Sequence, residues 1–199
     1  LYPSPSDTAP TVTDPTPTAP PPTSGPSVPT ATGGMEGNDT SEQLNGTAGN
    51  DVAYGRRGED TILGGSGDDV IYGNHNTDKL YGGDGSDTLF GGQNNGELTG
   101  SPPAMRDGTE RLYGDDGNDL LYGNHGNDII YGGAGADTAY GGQNEDTLYG
   151  DAGSDLLFGN LNNDALFGGD GDDTLVGQAG NDTMNGGAGT DIAIFSGNS

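Results

Sequence analysis

A nine-residue pattern, Gly-Gly-x-Gly-x-Asp-x-Leu-x, recurs in register over residues 46–99 and 105–194, and nothing else in the sequence restricts the folded chain so tightly. Gly64-Gly65-Ser66-Gly67-Asp68-Asp69-Val70-Ile71-Tyr72 and Gly168-Gly169-Asp170-Gly171-Asp172-Asp173-Thr174-Leu175-Val176 are two clear copies. A unit this short cannot bury its own apolar residues and has to stack on its neighbours, so a fixed short period implies a solenoid.

The first six positions hold glycines and an acid, which is turn chemistry, and the last three carry strand-forming aliphatic and aromatic residues. Each unit therefore reads as a tight loop followed by a very short strand. Two units make a turn of 18 residues with a strand on each of two faces, and successive turns stack as parallel strands. The expected fold is all-β, a parallel β-roll solenoid. Sixteen units are counted, enough for eight turns and roughly 38 Å of stack at about 4.8 Å per strand.

Position four tests this reading, because so tight a loop needs a positive φ there. It is Gly in twelve units and Asn in four, namely Asn76, Asn94, Asn144 and Asn162. Asn is among the few residues with a side chain that tolerate the left-handed region. Position eight is apolar throughout, from Ala53, Ile62 and Ile71 through Leu98 and Leu112 to Met184 and Ala193, and strand alternation points it into the space between the two sheets.

So thin a ladder cannot offset chain entropy alone. Only 28% of the 199 residues are hydrophobic, there are 41 glycines, and the formal net charge is -26. Such an excess of acid repels nucleic acid and anionic membranes and attracts divalent cations or basic partners. With no cysteine, disulfides and thiolate metal sites are excluded. No apolar run is long enough for a transmembrane helix.

Residues 1–32 hold ten of the twelve prolines together with Thr, Ser and Ala, a composition that favours an extended linker or tail. Residues 33–45 read as a degenerate N-terminal cap, with Gly37-Asn38-Asp39 echoing the motif and Leu44 at an inward position. The first array, 46–99, is separated from the second, 105–194, by Gly100-Ser101-Pro102-Pro103-Ala104, read as an inserted loop, and 195–199 form a C-terminal tail.

Position six is Asp in fourteen of sixteen units, the exceptions being Gly96 and Glu110 beside the insertion. Stacking aligns Asp residues 18 apart, and such columns would drive the turns apart unless neutralised. Carboxylates and loop carbonyls are hard oxygen ligands that suit Ca²⁺, whereas Mg²⁺ keeps its waters and transition metals favour His or Cys.

At this point the residues resemble a family: the in-register copies over about 46–194 are similar to the RTX repeats of haemolysin-type calcium-binding proteins. The resemblance implies a parallel β-roll with each Ca²⁺ between successive loops, held by two Asp side chains and by carbonyls of loop positions one to four. Carried over to this sequence, the implied pairs are Asp51/Asp69, Asp60/Asp78, Asp69/Asp87, Asp119/Asp137, Asp128/Asp146, Asp137/Asp155, Asp146/Asp164, Asp155/Asp173, Asp164/Asp182 and Asp173/Asp191. About ten ions are expected, which would neutralise most of the charge and couple folding to metal. Gly96 and Glu110 depart from the pattern, so the sites across the insertion are not carried over.

His75 and His125 share loop position three in related units and read as duplicated loop residues rather than a metal site. No nucleophile–base pair or phosphate-cradling loop stands out, so the chain reads as non-enzymatic. Position nine holds Tyr54, Tyr72, Tyr81, Tyr113, Tyr122, Tyr131, Tyr140 and Tyr149 with Phe90, Phe158 and Phe167. These should form outward ladders, through strand propensity or as a surface for a protein partner or self-association. The expected function is a calcium-binding structural module of a secreted or cell-surface protein, a scaffold or assembly element. The alternatives are the non-catalytic tail of a secreted protease, lipase or toxin, and a subunit bracing a larger extracytoplasmic complex. In RTX relatives, as the resemblance implies, calcium couples folding to type I secretion.

Overall fold

The computed structural model describes residues 34–92 and 109–195. The expectations for the Pro-rich tail, for Asn94, Gly96 and Leu98, and for the insertion at 100–104 lie outside the described residues. Within them the chain forms seventeen strands and no helix. The odd-numbered strands make a nine-stranded parallel sheet in the order β1-β3-β5-β7-β9-β11-β13-β15-β17, and the even-numbered ones an eight-stranded sheet. The chain thus alternates between two faces and climbs one strand per half turn, as the 18-residue turn requires.

Between the end strands, the strands are longer than the three residues expected. β5 (Val70–His75) and β10 (Ile129–Ala134) each run for six residues, covering positions seven to nine of one unit and one to three of the next. The two leading glycines conceal this in the sequence, because glycine carries almost no strand preference. Only positions four to six remain as the connecting loop.

Position eight forms the core. Ala53, Ile62, Ile71, Leu80, Leu89, Leu112, Leu121, Ile130, Ala139, Leu148, Leu157, Leu166 and Leu175 form one cluster, with Met35, Leu44 and Met184 packed against it. Ala193 departs from the expectation and is exposed, because β17 (Ile192–Ile194) ends its sheet with no turn stacked above it. At the other end, β1 (Gly34–Glu36) and β2 (Gln43–Asn45) join the ladder as a first turn.

The left-handed loop geometry is present at Asn76, Asn144 and Asn162, with φ of 81°, 84° and 82°. A second left-handed column runs along position two, where Asn74, Asn124 and Asn160 have φ of 76°, 76° and 74° and Asp115 and Asp151 are similar. Outside the sheets, Tyr54, Tyr72, Phe90, Tyr122, Tyr140 and Phe158 stack in one file and Tyr81, Tyr113, Tyr131, Tyr149 and Phe167 in another.

Sixteen units were counted from residue 46 onward, but only fifteen strands, β3 (Val52–Arg57) to β17, follow it among the described residues. β6 (Lys79–Asp84) pairs directly with β8 (Arg111–Asp116), and β7 (Thr88–Gly92) with β9 (Leu120–His125). Strict alternation of the sixteen units would set Arg111 beside Thr88, whereas Arg111 pairs with Lys79 and Thr88 with Leu120.

Candidate metal centres

The position-six aspartates below the last turn are clamped between turns. The Asp119 amide donates to Asp137 Oδ1 at 2.8 Å, and the Asp119 carbonyl accepts from the Thr138 amide at 2.9 Å. The same amide-to-carboxylate bond joins Asp51 to Asp69, Asp60 to Asp78, Asp69 to Asp87, Asp128 to Asp146, Asp137 to Asp155, Asp146 to Asp164, Asp155 to Asp173, Asp164 to Asp182 and Asp173 to Asp191, at 2.7–3.1 Å. The ten pairs read from the sequence are therefore stacked neighbours. One column follows the edge of the nine-stranded sheet and the other that of the eight-stranded sheet.

That bond uses one carboxylate oxygen and leaves the other without a donor. In eleven aspartates from Asp60 to Asp173, Oδ2 is buried with no hydrogen-bond partner. Protein interiors rarely tolerate such orphans, and eleven in register call for a common partner. A Cβ built on Gly132 would lie 2.5 Å from Asp137 Oδ2 and 2.7 Å from the Gly150 carbonyl oxygen, so these two acceptors converge where the glycine has no side chain. A cation satisfies acceptors that face each other; another acceptor does not.

The electrostatics point the same way. Burial, opposed in part by the donated amide, pushes Asp78 and Asp146 up to about 8, Asp119 and Asp164 to about 7, and Asp87 and Asp155 to about 6. Neighbouring carboxylates in the column add to the rise. Asp128 is held well above the carboxylate range, first by burial and then by the neighbouring Glu110 carboxyl. Buried acids this close bind protons or a metal.

Among the described residues no place gathers three or more His, Cys, Asp or Glu side chains in metal-binding geometry. With two carboxylates per step, a cation must take its other ligands from loop carbonyls, an all-oxygen set that fits Ca²⁺. His75 and His125 lie at the ends of β5 and β9, in register with Arg57 and Gln143.

Two glutamates also stand in the columns, Glu110 as the sequence placed it at position six and Glu42 where the sequence reading named no acid. Glu110 is fully buried in the column, its amide donating to Asp128 Oδ1 at 3.0 Å. Glu42 occupies position six of the first turn, its amide donating to Asp60 Oδ1 at 3.0 Å. The signal for Glu42 was present, since Gly37 lies nine residues before Gly46, but Glu in place of Asp concealed it. The last aspartates, Asp182 and Asp191, accept from the turn below and are only half-buried, having no turn above.

No curated protein matches the chain. The model of the family described as RTX calcium-binding nonapeptide repeat (four copies) matches in overlapping segments at residues 36–71, 63–98, 106–139, 132–166, 140–175 and 158–193. With most of the sequence matched and the repeats folded as a parallel β-solenoid with stacked aspartates, the chain belongs to the RTX calcium-binding nonapeptide repeat family.

Proposed function

We propose that this chain is a calcium-switched structural module of a secreted or cell-surface protein, expanded when calcium is scarce and a rigid rod when it is abundant. The observation that carries this reading is the row of buried, undonated Oδ2 atoms from Asp60 to Asp173 beside glycine carbonyls of the next turn. A chain of net charge -26 with so thin a core opposes its own collapse until cations fill the columns. Extracellular calcium modules bind at about 10⁻⁴–10⁻³ M, so such a module folds outside the cell and not in a cytosol poor in calcium. Isothermal titration calorimetry should give dissociation constants in that range with ten or more ions per chain. Submicromolar affinity would contradict the extracellular switch.

A scaffold or assembly role has its own support. From β5 to β17 the outward positions seven and nine of the nine-stranded sheet carry no charge, whereas the other sheet presents Lys79 and Arg111 side by side. At the end of the stack Ile192, Ile194 and Phe195 are exposed at 57%, 38% and 69%. This favours an accessory element docked on a larger body over a free tail. Sedimentation velocity in calcium, with and without an extracellular extract, tests it: a species that remains monomeric and unpartnered contradicts it.

A further inference from the structure

The family match stops at residue 98 and resumes at 106, and the 18-residue spacing of partners does not hold across that gap. The ladder nevertheless crosses it without losing register. Lys79 faces Arg111 and Thr88 faces Leu120, with 32 residues between partners instead of 18. The aromatic files continue as well, with Tyr81 on Tyr113 at 4.7 Å and Phe90 on Tyr122 at 5.1 Å.

The position-six column is equally continuous. The Asp87 amide donates to Asp119 Oδ1 at 2.7 Å, matching the 2.7 Å from the Asp69 amide to Asp87 Oδ1. Asp87 and Asp119 are 1% and 3% exposed, and Oδ2 of each is buried without a hydrogen-bond partner. A Cβ on Gly82 would meet Asp87 Oδ2 and lie 2.6 Å from the Gly114 carbonyl oxygen, the arrangement Gly132 has with Asp137 and Gly150. The crossing thus carries the features of an ordinary step: two buried carboxylates, an orphaned oxygen on each, and a carbonyl brought up by the next turn.

We infer that a calcium ion binds between Asp87 and Asp119, in a site assembled from segments 32 residues apart. The inference rests on the calcium reading above. It turns the edge of the nine-stranded sheet into one unbroken column from Asp51 to Asp191, so the ion at the crossing ties the two arrays into a single solenoid. On the other edge the crossing falls at Glu110, between Asp78 and Asp128, and supplies no pair of aspartates.

Native mass spectrometry at saturating calcium tests this through ion counts. Asp119→Asn keeps the side-chain shape while weakening every step that uses Asp119. If the crossing binds, this variant loses as many ions as Asp137→Asn, which serves two steps. If the crossing is silent, it loses only as many as Asp191→Asn, which serves one, and the inference is overturned. A wild-type chain that retains no calcium would instead overturn the calcium reading itself.

A cysteine pair gives a second readout that does not depend on how the Asn variants fold. The chain has no native cysteine to interfere, and neighbouring parallel strands lie within disulfide reach. Lys79→Cys with Arg111→Cys should crosslink in calcium. Thr88→Cys with Arg111→Cys, the pairing that strict alternation of sixteen units requires, should not. Crosslinking of the second pair and not the first would overturn the inference.

Discussion

The Asp137 amide donates to Asp155 Oδ1 at 2.9 Å, and the remaining oxygen of each side chain, Oδ2, is buried without a donor. Half of each carboxylate therefore holds the backbone of one turn to the next, and the other half is the atom that the proposed calcium reading assigns to a cation. Because the same atom pair repeats along both edges, the proposed calcium switch couples folding to metal binding at every step.

Glycine at position one should be irreplaceable where it faces the column. In Gly132→Ala the methyl group would occupy the point shared by Asp137 Oδ2 and the Gly150 carbonyl. Overpacking of this kind costs about 1–3 kcal/mol, and here it also obstructs the cation, so the calcium midpoint for folding should move up. Gly49→Ala is the control, because Gly49, unlike most position-four residues, does not have a positive φ and a Cβ there meets nothing within 4 Å. Calcium-dependent circular dichroism of both variants checks the contrast, and equal midpoints would contradict it.

The aromatic files should contribute mainly to stability. Tyr140 stacks on Tyr122 at 5.0 Å and on Phe158 at 4.7 Å, with planes within 5° of parallel, so the ring faces are turned toward each other. Each aromatic pair is worth about 0.5–1.5 kcal/mol, so Tyr140→Ala should destabilise the calcium-loaded chain by about 1–3 kcal/mol plus lost burial. Thermal unfolding in excess calcium measures this. An unchanged transition would leave recognition of a partner as the reason for the tyrosines.

The metal-free chain should be more ordered in mild acid than at neutral pH. Asp78 and Asp146 rise from 3.8 to about 8, and Asp119 and Asp164 to about 7, when buried in the fold. A raised acid binds more protons folded than unfolded, so its contribution is fully present below pH about 4 and is lost as pH rises through the folded values near 7 to 8. In chelator, far-ultraviolet circular dichroism should show more strand at pH 5 than at pH 8. With saturating calcium that pH dependence should flatten above pH 6, because the ion replaces the protons.

The sequence made the solenoid legible because each stacking constraint recurs. Asn76, Asn144 and Asn162 marked the left-handed loop position, and Ile62, Ile71 and Leu80 marked the inward face. The second left-handed column was visible in principle through Asn74, Asn124 and Asn160, but Arg56 and Gln178 adopt the same geometry at φ 76° and 64° without the residue preference that announces it. The crossing from Asp87 to Asp119 was not legible, because the partners there are 32 residues apart and no multiple of nine gives that spacing. A period counted along the chain carries no such information; the pairing of Thr88 with Leu120 and of Lys79 with Arg111 reveals it.

The measurement that bears most directly on the account is a calcium titration of the chelator-treated chain at pH 7.5, followed by far-ultraviolet circular dichroism, with magnesium in parallel. Calcium should convert a largely unordered spectrum into a β spectrum, cooperatively and reversibly on chelation, while magnesium at the same concentration should not. Full β structure before any calcium is added, or equal folding in magnesium, would contradict the claim that the aspartate columns are calcium sites on which the fold depends.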